Sequence, residues 1–300
     1  MGLFSLTQEL AIDLGTANTI IISNGKIVVD EPSIVALDQH TGKAMAIGKK
    51  ARQMHGKTHQ NIKTVRPLKD GVIADFNAAE LMLRGLIKMV KSSGRLFSPS
   101  LKMVISIPSG STNVEIRAVR DSAEHAGGRE VYMIYEPMAA ALGAGLDVEA
   151  PEGHMVVDIG GGTTDVTVFY KNSVRHVGIV PMGGNAINRD IRSYGILERH
   201  VESLKVRYGS AMRDQIKTEM SIKTPGLNAR MPKEISLLNL AAIIEARMLD
   251  IIDFVMAEIK ASGCQQKLGA GVVLTGGAAQ MKDLDLLFKN YTGIDVRVAT

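Results

Sequence analysis

The sequence predicts an α/β protein of two lobes, each organised around a largely parallel core sheet. Three observations carry that prediction. Short buried apolar runs alternate with amphipathic helical stretches, the pattern of layered strands and helices. A strand that ends in Asp and a glycine turn occurs twice, at Asp13 and at Asp158, 145 positions apart and so about one domain length. Three hundred residues with 45% hydrophobic content suffice for about two domain cores.

In chain order, Leu10–Leu14 is a short apolar run that ends in the first glycine turn. Thr19–Ile22 and Ile27–Val29 follow as strands, joined by the two-residue hairpin signal Ser23-Asn24-Gly25-Lys26. Glu31–Arg66 is mixed and polar, which suits a small inserted subdomain. From Asn77, a candidate cap, Ala79, Met82, Leu83, Leu86 and Val90 recur at helical spacing until Gly94. Met103–Ile107 reads as a buried strand. Thr112 with Glu115 forms a capping-box pattern for a helix ending at Gly127-Gly128, and Glu136-Pro137 opens another. Asp147–Gly153 is a turn-rich acidic linker, after which the pattern restarts. Met155–Ile159 and Asp165–Tyr170 are strands about a glycine turn, followed by helices over Asn185–Tyr194 and Glu198–Tyr208. An irregular stretch through Pro225-Gly226 and Pro232 leads into a long helix, Asn239–Ser262, stopped by Gly263. Gly271–Leu274 is a last buried strand, followed by Thr275-Gly276-Gly277 and a helix. The predicted lobes are residues 1–146, with an insert at about 32–64, and 147–300, with a small helical subdomain at about 181–236.

Composition narrows the function. The net charge is +4, but its 35 cations and 31 anions are interleaved, and no Lys/Arg run alternates with aromatics. Nucleic acid is therefore not an expected partner. One cysteine, Cys264, allows no internal disulfide and fits a reducing cytosol. No apolar run reaches the ~18 residues of a membrane span. The opening residues match neither a secretory leader nor a myristoylation site, since Leu6 stands where Ser or Thr is needed. Leu3, Phe4 and Leu6 fit either a membrane-surface contact or a core strand. Gly56-Lys57-Thr58 lacks the first glycine and the preceding strand of a P-loop, and His55 with His59 lacks a third zinc ligand.

The repeat carries the chemistry. Asp13-Leu14-Gly15-Thr16-Ala17-Asn18 and Asp158-Ile159-Gly160-Gly161-Gly162-Thr163-Thr164 share one order: Asp, one apolar residue, Gly, then small and hydroxyl residues entering a second strand. Small residues let backbone N–H groups approach phosphate oxygens, and the hydroxyls of Thr16 and Thr163 add donors. Two such turns are expected to grip the phosphates of ATP, with Asp13 and Asp158 offering hard oxygens to Mg²⁺ through its waters. A third glycine turn, Thr275-Gly276-Gly277-Ala278, lacks bulky side chains and is expected to receive the adenosine.

These residues resemble the superfamily of actin, Hsp70 and the sugar kinases. The resemblance implies an actin-like (ribonuclease H-like) duplicated ATPase fold, two lobes each carrying a smaller subdomain. Residues 1 to about 168 are similar to the MreB family. The similarity rests on Asp13–Thr19, on Arg66–Asp75 and on Glu136-Pro137-Met138-Ala139-Ala140-Ala141. From about residue 171, the stretches Ser173–His176, Gly183-Gly184-Asn185, Leu204–Gly209, Ile243–Arg247 and Ala270–Gln280 resemble FtsA. The MreB resemblance implies a catalytic glutamate at Glu136 with Thr163 as its partner, and nucleoside contacts from Glu202 and Lys205. An ordinary surface ion pair is the alternative for those last two. Both families continue into a helix beyond residue 300 that returns to the first lobe and covers apolar surface there.

The expected function follows: a cytoplasmic, peripherally membrane-associated ATPase. It would polymerise on the inner face of the membrane and work with cell-wall elongation or division proteins. An FtsA-like tether of the division ring is the alternative. A sugar kinase would need an acid–base Asp in a polar pocket, and a chaperone would need another domain.

Overall fold

The computed structural model describes residues 7–56, 61–69, 72–91, 100–218, 220–225 and 232–299. The chain divides into two units, Met1–Ala139 and Ala140–Thr300.

In the first unit, β1 (Thr7–Leu14), β2 (Asn18–Ser23) and β3 (Lys26–Pro32) form a meander. Its second turn has Asn24 at φ 51° and Gly25 at φ 70°. Those are the positive values that a two-residue hairpin demands and that Asn-Gly supplies. Next come β4 (Val35–Asp38), β5 (Ala44–Ile47), α1 (Gly48–Met54) and β6 (Ile62–Val65). They make a small sheet of order β5-β4-β6 that packs on α1 through Ile34, Ala36 and Ala51. This is the polar insert, and its core is small because few of its side chains are large and apolar. A short ladder of β7 (Leu68–Lys69) and β8 (Val72–Ile73) precedes α2 (Phe76–Lys91).

The main sheet is completed by β9 (Ser100–Ile107) and β10 (Gly128–Tyr135), with α3 (Asn113–His125) between them and α4 (Glu136–Gly143) after β10. Its order is β10-β9-β1-β2-β3, and β1, β9 and β10 run parallel. Ile12, Met82, Leu83, Leu86, Met103 and Ile105 fill the core between sheet and helices. Thr112 caps α3 as its sequence predicts: its hydroxyl accepts from Glu115 N, and its own N–H donates to Glu115 Oε2 at 2.7 Å.

The second unit repeats the plan. β11 (His154–Ile159), β12 (Thr164–Phe169) and β13 (Val174–Val180) form a meander, and α5 (Gly184–Ser193) and α6 (Glu198–Tyr208) follow. β14 (Ser221–Pro225) pairs with β15 (Pro232–Ser236). Then come α7 (Leu237–Ser262), β16 (Val272–Thr275), α8 (Leu284–Thr292) and β17 (Val296–Val298). The sheet order is β13-β12-β11-β16-β17, with β11, β16 and β17 parallel. Ile244, Met248, Ile251, Val255 and Ile259 lay one stripe of α7 on the core, and Gly263 ends the helix at φ 62°. That left-handed stop costs a glycine little.

Several stretches differ from expectation. Asn77, the expected cap, lies inside α2, and Asp75 Oδ1 instead accepts from Ala78 N at 3.0 Å. β13 carries Arg175, His176 and Gly178, which hide its period. Yet Gly178 is the position where a Cβ would strike the Glu258 carboxylate, so the glycine admits α7. The irregular stretch holds a hairpin in which Pro225 faces Pro232 at the end that leads into residues 226–231, at the limit of the ladder, where a proline is tolerated. The turn after β16 is a single 3₁₀ turn, Gly277–Gln280, with α8 starting later. Leu3, Phe4, Leu6, Lys57, Thr58, His59, Gly94 and Gly226 lie outside the described residues. Among the described residues, no helix is long and apolar enough to cross a membrane.

Candidate nucleotide-binding site

In the first unit, the carboxyl ends of the three parallel strands carry Asp13 on β1, Ser106 on β9 and Glu136 just after β10. Ligands of open α/β sheets gather at that edge. Ser106 Oγ donates to Asp13 Oδ1 at 2.8 Å. Desolvation by the surrounding protein pushes the Asp13 pKa up, and the Ser106 bond pulls against it. Behind Ser106 lies a cavity of about 10 Å³, also lined by Leu14, Leu68 and Ile107, with room for one water and no nucleotide.

The turn Gly15-Thr16-Ala17 joins β1 to β2, and its carbonyls are anchored from behind. Ser33 Oγ donates to Gly15 O at 2.6 Å and Ser33 N donates to Ala17 O at 2.9 Å. A Cβ on Gly15 would lie 2.6 Å from Asn18 O, so the turn closes this tightly only with glycine. Asn18, at the start of β2, donates through Nδ2 to Asp30 Oδ1 at 3.1 Å.

The second unit reproduces this edge. Asp158 ends β11, with Asp165 of β12 opposite it on one side and Thr275 of β16 opposite it on the other. The hydroxyl beside the strand-end Asp is thus Ser106 in one unit and Thr275 in the other. The turn Gly160-Gly161-Gly162-Thr163 is anchored by the start of α5: Gly184 N donates to Gly160 O at 2.9 Å and Asn185 N to Gly161 O at 2.8 Å. The described peptide bonds are all trans. In a trans peptide the N–H points opposite to its C=O. The anchored carbonyls therefore turn the amides of Thr16, Gly161 and Gly162 toward the other face of each turn, forming two donor-lined concavities suited to anions.

Thr163 Oγ1 donates to Asp165 Oδ2 at 3.1 Å. Asp165 is buried, burial raises its pKa, and Oδ1 has no hydrogen-bond partner among the described residues. Gly276 takes φ 91°, and a Cβ there would come within 2.3 Å of Asp158 Oδ1. A Cβ on Gly277 would meet nothing within 4 Å. Lys205 is buried, with Nζ donating to Glu202 Oε2 at 3.0 Å and to Gly184 O at 3.4 Å. Glu202 Oε2 also accepts from Asn188 Nδ2 at 2.6 Å. A Cβ on Gly184 would sit 3.3 Å from both Ala278 Cβ and Lys205 Nζ. Lys205 therefore lies close to Gly184, which anchors the second glycine turn and borders Ala278, while the half-exposed Glu202 is joined to it through their ion pair.

The first unit thus brings together Asp13, Gly15, Thr16, Ala17, Asn18 and Glu136. The second brings together Asp158, Gly160–Thr164, Glu202, Lys205 and Thr275–Ala278. Ser33, Ser106 and Asp165 went unread in the sequence. Ser106 was legible as a lone hydroxyl in an apolar strand, and Asp165 as a carboxylate beginning a strand that is otherwise buried. Among the described residues no three His, Cys, Asp or Glu cluster into a metal cage. Asp13 and Asp158 are each, within their own unit, a strand-end carboxylate of the hard-oxygen kind that hydrated Mg²⁺ takes one or two of.

Two lobes with sheets of one order, each ending its first strand in Asp and a small-residue turn, define an actin-like protein. A model of the family described as MreB/Mbl protein matches residues 7–300. The cell shape-determining protein MreB of Escherichia coli (strain K12) is 43% identical over 99% of this chain and 90% of its own length. The crystal structure of MreB5 of Spiroplasma citri bound to AMPPNP is 30% identical, with a TM-score of 0.82 over 98% of this chain and 91% of that one. A MamK double helical filament shares the fold at TM-score 0.78 and 19% identity, covering 98% of this chain and 94% of that one. The chain belongs to the MreB/Mbl family. The expected change toward FtsA from residue 171 is not supported, because the family match runs unbroken to residue 300. Gly183-Gly184-Asn185, Leu204–Gly209 and Ala270–Gln280 hold the glycine turn, Lys205 and the third glycine motif. They are parts of the site itself, so likeness there follows the shared fold and not one family.

Proposed function

We propose that this chain binds ATP with Mg²⁺, hydrolyses it slowly, and assembles into filaments on the inner face of the cytoplasmic membrane. In this role it organises cell-wall synthesis and cell shape. The observation that carries the reading is the paired anchoring of turn carbonyls by Ser33 and by Gly184 with Asn185, which leaves two sets of amides aimed outward. MreB5 of Spiroplasma citri, solved with AMPPNP and with ADP, supports the choice of nucleotide. Membership in a family whose matched curated member is named cell shape-determining supports the cellular role.

In this reading the amides and hydroxyls of Gly15–Asn18 and Gly160–Thr164 hold the phosphate oxygens. Thr275–Ala278, Glu202 and Lys205 hold the nucleoside. Asp13 and Asp158 would hold Mg²⁺ through its waters, and the ion when bound supplies positive charge against the phosphate oxygens. Phosphoryl transfer to water needs chiefly a positioned nucleophile. Glu136, at the first turn of α4, orients that water and accepts its proton, with Thr163 as partner. The proposed lobes are residues 1–146 and 147–300.

The test measures phosphate release and sedimentation with ATP, with and without liposomes, on the wild type and Glu136→Gln. The wild type should pellet with ATP, and more with liposomes. The variant should bind ATP but release phosphate about 10²- to 10⁴-fold more slowly, the usual contribution of a general base. A wild type that neither binds ATP nor pellets would sink the proposal.

A further inference from the structure

Ser33 is the first residue after β3, where the chain leaves the main sheet of the first unit and enters the small sheet β4–β6. It is fully buried, and each of its polar side-chain and amide groups is committed to the first glycine turn or its neighbour. Its amide donates to Ala17 O at 2.9 Å and its hydroxyl to Gly15 O at 2.6 Å. Thr19 Oγ1 lies 2.9 Å from Ser33 Oγ. Because the single Ser33 hydroxyl proton goes to Gly15, Thr19 is the donor in that contact. The three groups form a relay, Thr19 to Ser33 to Gly15, in which each hydrogen bond polarises the next.

Beyond Ser33 there is no slack. Ile34, Val35 and Ala36 are fully buried, and Ile34 O accepts from Gly48 N, the first residue of α1, at 3.0 Å. The second unit does the same job differently. Thr164, the counterpart of Thr19, donates to Met182 O at 2.8 Å, and two helix amides rather than a side chain anchor the turn. The first turn therefore depends on one side-chain oxygen where the second depends on none.

We propose that Ser33 is a positioning residue for the phosphates of a nucleoside di- or triphosphate: it sets the direction of the Thr16 amide and couples the first turn to the small sheet and α1. The proposal rests on the nucleotide reading above. It predicts that losing the hydroxyl weakens the grip on phosphates and leaves the grip on the nucleoside, which uses residues of the other unit.

The experiment titrates ATP, ADP and adenosine by calorimetry into the wild type, Ser33→Ala and Thr19→Ala. Ser33→Ala should lose at least tenfold in affinity for ATP and ADP and less than twofold for adenosine. Thr19→Ala removes a hydroxyl from the same buried pair but keeps the Ser33–Gly15 bond, so it should lose less than threefold for any ligand. Equal losses for all three ligands in Ser33→Ala, equal losses in both variants, or no loss would each overturn the assignment. A wild type that binds none of the three overturns the nucleotide reading itself, and the assignment with it. Should Ser33→Ala fail to fold, amide exchange on the wild type decides: ATP and not adenosine should slow the Ser33 amide, and equal exchange in both overturns the assignment.

Discussion

Single residues at this site are constrained by contacts that their neighbours in sequence do not announce. Gly276 combines φ 91° with a Cβ position 2.3 Å from the Asp158 carboxylate. Alanine there strains the backbone and displaces the proposed Mg²⁺-facing group at once. Gly276→Ala should lose more than about 1 kcal/mol of stability. Its ATP affinity should fall about tenfold or more, the equivalent of roughly 1.4 kcal/mol. Gly277→Ala is the control, since its Cβ meets nothing within 4 Å and its melting temperature should match the wild type. If both variants melt and bind alike, Gly276 is an ordinary turn residue. At this scale the sequence was informative where chemistry and spacing coincide. Asp13, Asp158 and their glycines repeat, so they could be read. Ser33 and Ser106 act across 18 and 93 positions of chain, through strand pairings that no local pattern encodes. Asp165 was visible but read only as the start of a strand.

Elements were legible in proportion to how uniform their surroundings are. α7 packs one continuous apolar stripe on a single core, so its period and its glycine stop agree with the sequence, while its start at Leu237, capped by Ser236, falls two residues before the expected Asn239. β13 resisted reading because it has a half-exposed face and a glycine that yields to Glu258. The hairpin β14–β15 resisted because prolines, normally breakers, sit where its two strands meet the connection between them. The cap of α7 is a separable contribution: Ser236 Oγ accepts from Asn239 N at 3.1 Å. Ser236→Ala should cost about 0.5–2 kcal/mol in chemical denaturation, with ATP affinity unchanged. No measurable loss would show that the buried face alone holds the helix start.

For the whole molecule, the fold class was the most legible feature, because a duplication repeats every local signal and the repeats support each other. The family of the second lobe was the least, since three of the five stretches that suggested FtsA lie at the candidate site, where the family match to residue 300 shows no change. If both turns and the third glycine motif bind one ligand, ATP with Mg²⁺ must stabilise the folded chain by mass action. At a free concentration a hundredfold above its Kd, the gain is about 2.7 kcal/mol. The melting temperature should therefore climb with the logarithm of ATP concentration, and a temperature independent of ATP would refute binding to the folded state. The duplicated plan also has a consequence for synthesis. Every strand of the first main sheet lies within residues 7–135, so that sheet is complete in sequence while the 163 residues up to Val298, the end of the second main sheet, remain to be translated. At usual ribosome speeds that leaves roughly 10–30 s. During that interval a finished half-molecule, with its β3 and β10 edges, waits for the half that shares its design.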